Sequence, residues 1–217
     1  ELIMDQNKRR IFDKEKNEYT FRTLKSLIKS IKKASFKFKN IQFDLIVTDT
    51  NSSNEDIKII KEILAQSNID NKFIPIKLED FENKIKTGYS KAKFSNMANF
   101  YSSLMIAKKD DADIFYFVED DYLHSEDSIT EMIFAYEKLS TIFSKDLVLL
   151  PADYPYLYSK DDATKIYLGE KYHWRLVSES LVTFMTSKKI IEENYNSLEK
   201  MGIEWIDPWE KPLHEIY

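Results

Sequence analysis

Apolar positions recur along the chain in two alternating periods. Phe21, Leu24, Ile28 and Ile31, with Leu27 alongside, follow helical spacing and predict a helix over 17–33 with Asn17 as its cap. Residues 41–47 read as a strand that ends in the polar run Thr48-Asp49-Thr50-Asn51-Ser52-Ser53. Ile57, Ile60 and Leu64 predict a second helix over 54–66, and Lys72 to Leu78 a short strand. Behind a Lys-rich loop, Met97, Phe100, Tyr101, Leu104 and Met105 predict a helix over 95–108, with Ser95 as N-cap.

Ile114-Phe115-Tyr116-Phe117-Val118 is continuously apolar, as a strand covered on both faces should be, and it stops at Glu119-Asp120-Asp121. A helix over 126–139, a strand over 147–150 and a loop rich in Tyr and Asp follow. A strand over 181–185 comes next, then a helix that Ser187 caps and that runs to Lys200. Strands and helices in alternation predict an α/β domain with a mostly parallel central sheet. Ligands of such sheets gather at the carboxyl ends of strands. The clusters 48–53 and 119–121 both sit at such ends, which points to one site built from two loops.

Composition narrows the chemistry. The 217 residues include 3 Gly, 5 Pro and no Cys. Average usage would give roughly 15 Gly. The three stand alone, so neither a dinucleotide fingerprint nor a P-loop is present, and any phosphate must be held without a glycine loop. Without Cys there are no disulfides, thiolate metal sites or thiol nucleophiles, in keeping with a reducing compartment. At 43% hydrophobic and 14% aromatic the chain can bury a sizeable core. No repeat or linker divides it, so one domain over 1–217 is expected. Because it starts at Glu1 and stops at Tyr217 inside a Trp/Pro/His-bearing segment, the expectation is a piece of a longer protein. No apolar run approaches the ~18 residues of a membrane span.

The net charge of −5 hides an asymmetry. Lys8 to Lys39 holds twelve Lys/Arg against three acids, and Asp110 to Asp127 holds eight acids with no Lys or Arg. The basic stretch reads first as the solvated face of an amphipathic helix, with phosphate or an anionic membrane surface as the alternative.

Three carboxylates in a row after a buried strand raise one another's pKa and oppose folding. A divalent cation is the usual remedy. Mg²⁺ takes oxygen ligands, commonly one or two carboxylates plus waters and substrate phosphates. The triplet therefore suits a metal–diphosphate complex, in which the cation takes the place of the missing glycine loop. The plainer reading is an acidic turn before a helix N-terminus. Glu126 and Asp127 fit that reading well; Asp120 and Asp121 fit it less well.

In this order, the apolar strand with Asp49-Thr50-Asn51-Ser52-Ser53 and the later strand with Glu119-Asp120-Asp121 resemble the nucleotide-sugar-binding half of a GT-A fold glycosyltransferase of the family 2 type. The resemblance runs over 17–140, the nucleotide-sugar-binding half, with 141–217 as the acceptor-side half. It implies a GT-A-like α/β/α sandwich and a metal-dependent, inverting transfer of sugar from a nucleoside-diphosphate sugar to an acceptor hydroxyl. It further implies a carbohydrate or glycoconjugate acceptor, a role in polysaccharide or glycoconjugate synthesis, and Mn²⁺ or Mg²⁺ as cofactor. Asp49 would contact the base, Asp120 or Glu119 the ribose, and Asp121 the metal. The chain departs from the pattern where Thr48 and Thr50 flank a single Asp, where Asn51 stands near the usual Gly, and where Glu opens the triplet. The family's first strand is not recognisable, unless Leu2-Ile3-Met4 is its remnant.

The same resemblance implies a carboxylate general base in the C-terminal half. Glu204, Asp207 and Glu210 are the candidates, with Asp207 preferred and Glu210 next. Trp205 and Trp209 could stack on sugar faces or simply pack in the core. His214 would suit the family's late metal-binding His. His124 stands near the triplet, and His173 precedes a strand. Arg175 could clamp a diphosphate or form a structural ion pair. Asp153 follows another apolar strand and could face the donor sugar.

Several rival readings exist. A phosphatase of the haloacid dehalogenase type would need a nucleophilic Asp where Glu119 stands. A nucleotidyltransferase would need a glycine-rich loop. A catalytically degenerate GT-A-like module for carbohydrate binding or assembly survives. Nucleic acid is not an expected partner, given the negative charge and the lack of a binding motif. The expected location is cytoplasmic, with peripheral docking at the inner face of the membrane as an option.

Overall fold

The structure, a computed structural model, describes residues 14–152, 154 and 164–216. Helix α1 (Lys16–Lys37) buries Phe21, Leu24, Leu27, Ile28, Ile31 and Ala34 along one face. It begins behind Glu15 rather than at Asn17. β1 (Asp44–Asp49) starts three residues later than its apolar run suggests and pairs in parallel with β2 (Asp70–Pro75), Leu45 lying opposite Asn71. Between them, α2 (Asn54–Ala65) is capped by Ser53, whose hydroxyl accepts the Asp56 N–H at 3.1 Å.

α3 (Lys91–Lys109) begins a full turn before its expected start, with Ser90 as cap. Ser95 is buried inside it. Its last carbonyls do not face water. Lys188 Nζ donates to Ala107 O at 3.0 Å, to Lys108 O at 2.7 Å and to Asp110 O. A cation there satisfies orphan carbonyls and matches the negative end of the helix.

β3 (Ile114–Phe117) has helices on both faces. Tyr116 and Val118 pack with α1 and with α4 (Ser128–Phe143), while Phe115 and Phe117 pack with Phe100 and Leu104 of α3. β4 (Val148–Leu149) and β7 (Phe184–Ser187) share this division. Leu149 and Met185 face the α1/α4 side, and Val148 and Phe184 face the other. Phe184, fully buried at the centre of this sheet, contributes ~1.5–3 kcal/mol. The continuous apolar run of β3 was therefore a sound sign of two-sided burial.

The sheet itself departs from expectation. Among the described residues the parallel pairing is confined to β1 and β2, and the three-stranded sheet has the order β3-β7-β4 with β7 antiparallel to both neighbours. A parallel strand needs a crossover back to the starting end. No helix is described between Leu149 and Phe184. β7 thus enters at the end where β3 finishes, with Phe184 opposite Phe117.

That excursion carries a hairpin not foreseen from the sequence, β5 (Ile166–Leu168) and β6 (His173–Arg175). After β7, Ser187 caps α5 (Lys188–Glu193) as its type suggests, accepting the Ile190 N–H at 3.2 Å. The helix expected to run to Lys200 breaks at Asn194, and α6 (Tyr195–Ile203) follows. A short α7 (Lys211–His214) closes the described chain. α6 packs closely on α3 at Gly202, where a Cβ would lie 2.7 Å from Tyr101 Cβ.

Candidate functional site

Glu119 lies two residues beyond the end of β3 and is half-buried. Its N–H donates to Thr183 Oγ1 at 3.2 Å, and the Thr183 hydroxyl donates to Glu119 Oε2 at 3.4 Å. Thr183 is buried just ahead of β7, so the antiparallel strand itself delivers this partner. Burial pushes the Glu119 carboxyl up to about 7, helped by the charges of Asp121, Glu210 and Asp120 and opposed by the Thr183 bond.

Glu210, ninety-one residues further along the chain, thus makes its charge felt at Glu119. It is half-buried ahead of α7, and burial raises its pKa too, with Asp207 adding and His214 subtracting. Asp207 is exposed. Of the two expected bases, Glu210 is the one whose charge is felt at Glu119. Glu204 pairs instead with Lys86 at 2.6 Å. His214 Nε2 accepts the Ser180 N–H at 3.0 Å and lies 3.1 Å from Ser180 O, so that nitrogen is committed to the backbone rather than to an ion.

The triplet divides. Asp120 turns to α1, accepting from Thr20 Oγ1 at 2.9 Å and lying 3.3 Å from Lys16 Nζ. Asp121 is exposed beyond it, and its charge is felt at both Glu119 and Tyr122. The Tyr122 hydroxyl meets Tyr154 at 2.6 Å, and burial raises its pKa. His124 lies in the following turn with its ring edge-on to Tyr116, 2.9 Å from the phenol oxygen, and burial lowers its pKa. It is a packing residue there.

The turn after β1 is self-contained. Asp49 accepts from both the Ser52 hydroxyl and the Ser52 N–H, the latter at 3.3 Å. Asn51 Nδ2 donates to Ser95 Oγ at 2.6 Å, and Asn99 Nδ2 to Thr50 Oγ1 at 3.4 Å, so α3 buttresses the loop. The first turn of α1 touches both strand ends. Asn17 Nδ2 donates to Asp56 Oδ1 at 3.0 Å beside the β1 loop, one turn from Thr20 on Asp120. Sequence reading gave Asn17 a capping role and overlooked Thr20 and Thr183. For Thr183 the available signal was its place as the one hydroxyl inside the apolar run 181–185.

The two charged runs meet each other. Lys29 Nζ lies 2.5 Å from Glu126, and Lys33 lies 2.8 Å and Lys171 2.9 Å from Asp127. These cations lower the pKa of Glu126 and hold that of Asp127 at about 2. Both acids sit at the start of α4, as their position suggested.

Arg175 stands on β6 in the hairpin, half-buried beside Trp174. The hairpin is pinned by a residue the sequence reading passed over. Glu131 of α4 is buried and accepts from the Glu170 N–H at 3.1 Å, the Lys171 N–H at 2.8 Å and Trp174 Nε1 at 3.0 Å. A Cβ on Gly169 would come within 1.8 Å of Glu131 Oε1, so glycine is needed for this approach. Trp205 and Trp209 stack on one another with centroids 5.0 Å apart and planes 7° apart. Trp209 also donates to Met201 O at 2.8 Å, and Lys93 covers the Trp205 ring at 4.7 Å. Their packing role is thus accounted for without a sugar. Asp153 and residues 2–4 lie outside the described residues.

Among the described residues, no three His, Cys, Asp or Glu side chains converge as a ready metal-holding group. None of the described helices is long and apolar enough to cross a membrane. No family model, curated protein or solved structure matches this chain.

Proposed function

We propose that this chain is a metal-dependent glycosyltransferase that moves a sugar from a nucleoside-diphosphate sugar to an acceptor hydroxyl. The observation that carries the reading is the gathering of acid at one strand end. Asp121 from the loop after β3 and Glu210 from the C-terminal segment both act on the half-buried Glu119. Mutual repulsion of this kind is relieved by a hard cation. Glu119 and Asp121 offer carboxylate oxygens, the kind and number of protein ligands that such an ion takes when waters and phosphates complete its shell. Asp121, exposed, would hold Mn²⁺ or Mg²⁺ with Glu119 behind it, and the ion would neutralise charge on the leaving diphosphate.

The remaining roles follow from position. Glu210 replaces Asp207 as the preferred base, because it is half-buried, burial raises its carboxyl above the ordinary range, and its charge is felt at Glu119 while Asp207 is exposed. Asp49 and Asn51 would meet the nucleoside from the β1 side, on a loop already held by α3. Inversion, a glycoconjugate acceptor and a place in polysaccharide synthesis belong to the same reading.

The test is thermal shift with UDP-, GDP- and CDP-sugars, with and without Mn²⁺. Stabilisation by one nucleotide sugar only when the metal is present is the expected result. Asp121→Ala should abolish it. An Asp121→Ala protein that is still stabilised equally overturns the metal assignment.

A degenerate carbohydrate-binding or assembly module is the second reading. It is favoured by the internal satisfaction of Asp49 by Ser52 and of Asp120 by Thr20 and Lys16. Binding of a nucleotide sugar with neither hydrolysis nor transfer would select it.

A further inference from the structure

The basic face of α1 is not used up by the acids it meets. Seen down the helix axis, Lys25, Lys32 and Phe36 share one narrow stripe with Lys29, at spacings of three, four and seven residues. The ion pairs to Glu126, Asp127 and Glu170 involve Lys29 within that stripe and Lys33 and Lys37 on one flank of it. Lys25 and Lys32 are exposed and make no ion pair with any described residue.

Large apolar side chains stand at the same end. Phe36 is 78% exposed, with Lys39 Nζ 4.4 Å above its ring. Lys37, the next residue, pairs with Glu170 at the hairpin tip. On either side of that acid in the sequence, Leu168 is 63% and Tyr172 52% exposed. Ile41 is also exposed, just beyond the helix. Exposed apolar residues interleaved with uncompensated lysines, on a chain of net negative charge, are the pattern of an interfacial surface.

We infer that the exposed stripe of α1 from Lys25 to Phe36 and the tip of the β5–β6 hairpin dock this protein on an anionic phospholipid surface. The lysines would face the headgroups, while Phe36 and Leu168 enter the boundary with the acyl chains. Aliphatic Leu168 and Ile41 favour lipid over a nucleic acid, whose bases would ask for stacking planes. The apolar end of the stripe is remote from the acidic site: Phe36 lies 16 residues, about 24 Å, along the helix from Thr20, which bonds Asp120. This inference is independent of the transferase reading, because it is tested with neither nucleotide nor metal.

The experiment is co-sedimentation of the 217-residue chain with vesicles of phosphatidylcholine alone or mixed with phosphatidylglycerol, at low and physiological salt. Binding to the mixed vesicles only, weakening with salt, is expected. The double variant Lys25→Glu/Lys32→Glu should lose about ten-fold or more in affinity. Circular dichroism must show its helix intact, as exposed positions predict. Phe36→Trp should show a blue-shifted emission change on mixed vesicles. Three results overturn the inference: no binding to anionic vesicles at low salt, an unchanged affinity in the double variant, or tighter binding to duplex DNA than to the vesicles.

Discussion

Glu119 and Thr183, just outside the paired ends of antiparallel β3 and β7, are bonded twice, once through the Glu119 N–H at 3.2 Å and once through its carboxylate at 3.4 Å. The second bond favours the ionised carboxylate and works against burial. Thr183→Val keeps the side-chain volume and removes both bonds. The Glu119 carboxyl, already at about 7, should then titrate higher still, by up to about one unit, in a carbon-detected NMR titration. A lower or unchanged midpoint would show that the bond is not made in solution.

Glu119 also makes stability depend on pH. Its folded pKa of about 7 exceeds the ordinary value of 4.5, so the folded state holds the proton more tightly. Stability therefore falls as pH rises from 4.5 to 7, and the full cost is present above 7. In chelator-treated protein, Glu119→Gln should remove that slope and stabilise at pH ~8 by on the order of 2 kcal/mol. Urea melts at several pH values would check it. A variant with the same slope as the parent would place the effect elsewhere.

Glu131 holds the hairpin through three donors. Glu131→Ala leaves them unpaired in a buried place and should cost about 2–4 kcal/mol. Because Trp174 is one of the donors, its fluorescence should change before the global melt. Gly169→Ala should produce the same early change, since the added methyl would overlap the Glu131 carboxylate. If Gly169→Ala melts like the parent with Trp174 undisturbed, the close approach is wrong.

Gly202 allows α6 to meet α3. Gly202→Ala would place a methyl 2.7 Å from both Tyr101 Cβ and Cδ2. Forced overpacking of this kind costs about 1–3 kcal/mol, against a gain of up to ~1 kcal/mol in helix propensity. The net expectation is destabilisation, read as a lower Tm. A raised Tm would mean that propensity wins and the helices yield.

Much of the fold was legible locally. The apolar stripe of α1, the Ser187 cap and the doubly covered β3 follow from spacing and residue type. The start of α3 was missed because two serines compete for its cap. Ser90 accepts the Lys93 N–H, and the later Ser95 is drawn into the Asn51 contact. The β5–β6 hairpin was missed because its exposed Ile166 and Leu168 offer no sign of a buried face. Its order comes from Glu131, on a different element.

Three glycines among 217 residues ruled out glycine-loop phosphate binding from the sequence alone. Periodicity likewise decided that helices and strands alternate, and it put acid at the ends of β1 and β3. These are local properties, fixed by side-chain period and backbone freedom. Only the tertiary structure decided which acids meet. It reversed β7 to bring Thr183 to Glu119, turned Asp120 toward α1, and brought Glu210 rather than Asp207 to bear on Glu119. Such pairings depend on strand direction and on contacts between residues remote in the chain. No local pattern encodes them, because each is settled by what the rest of the core leaves room for.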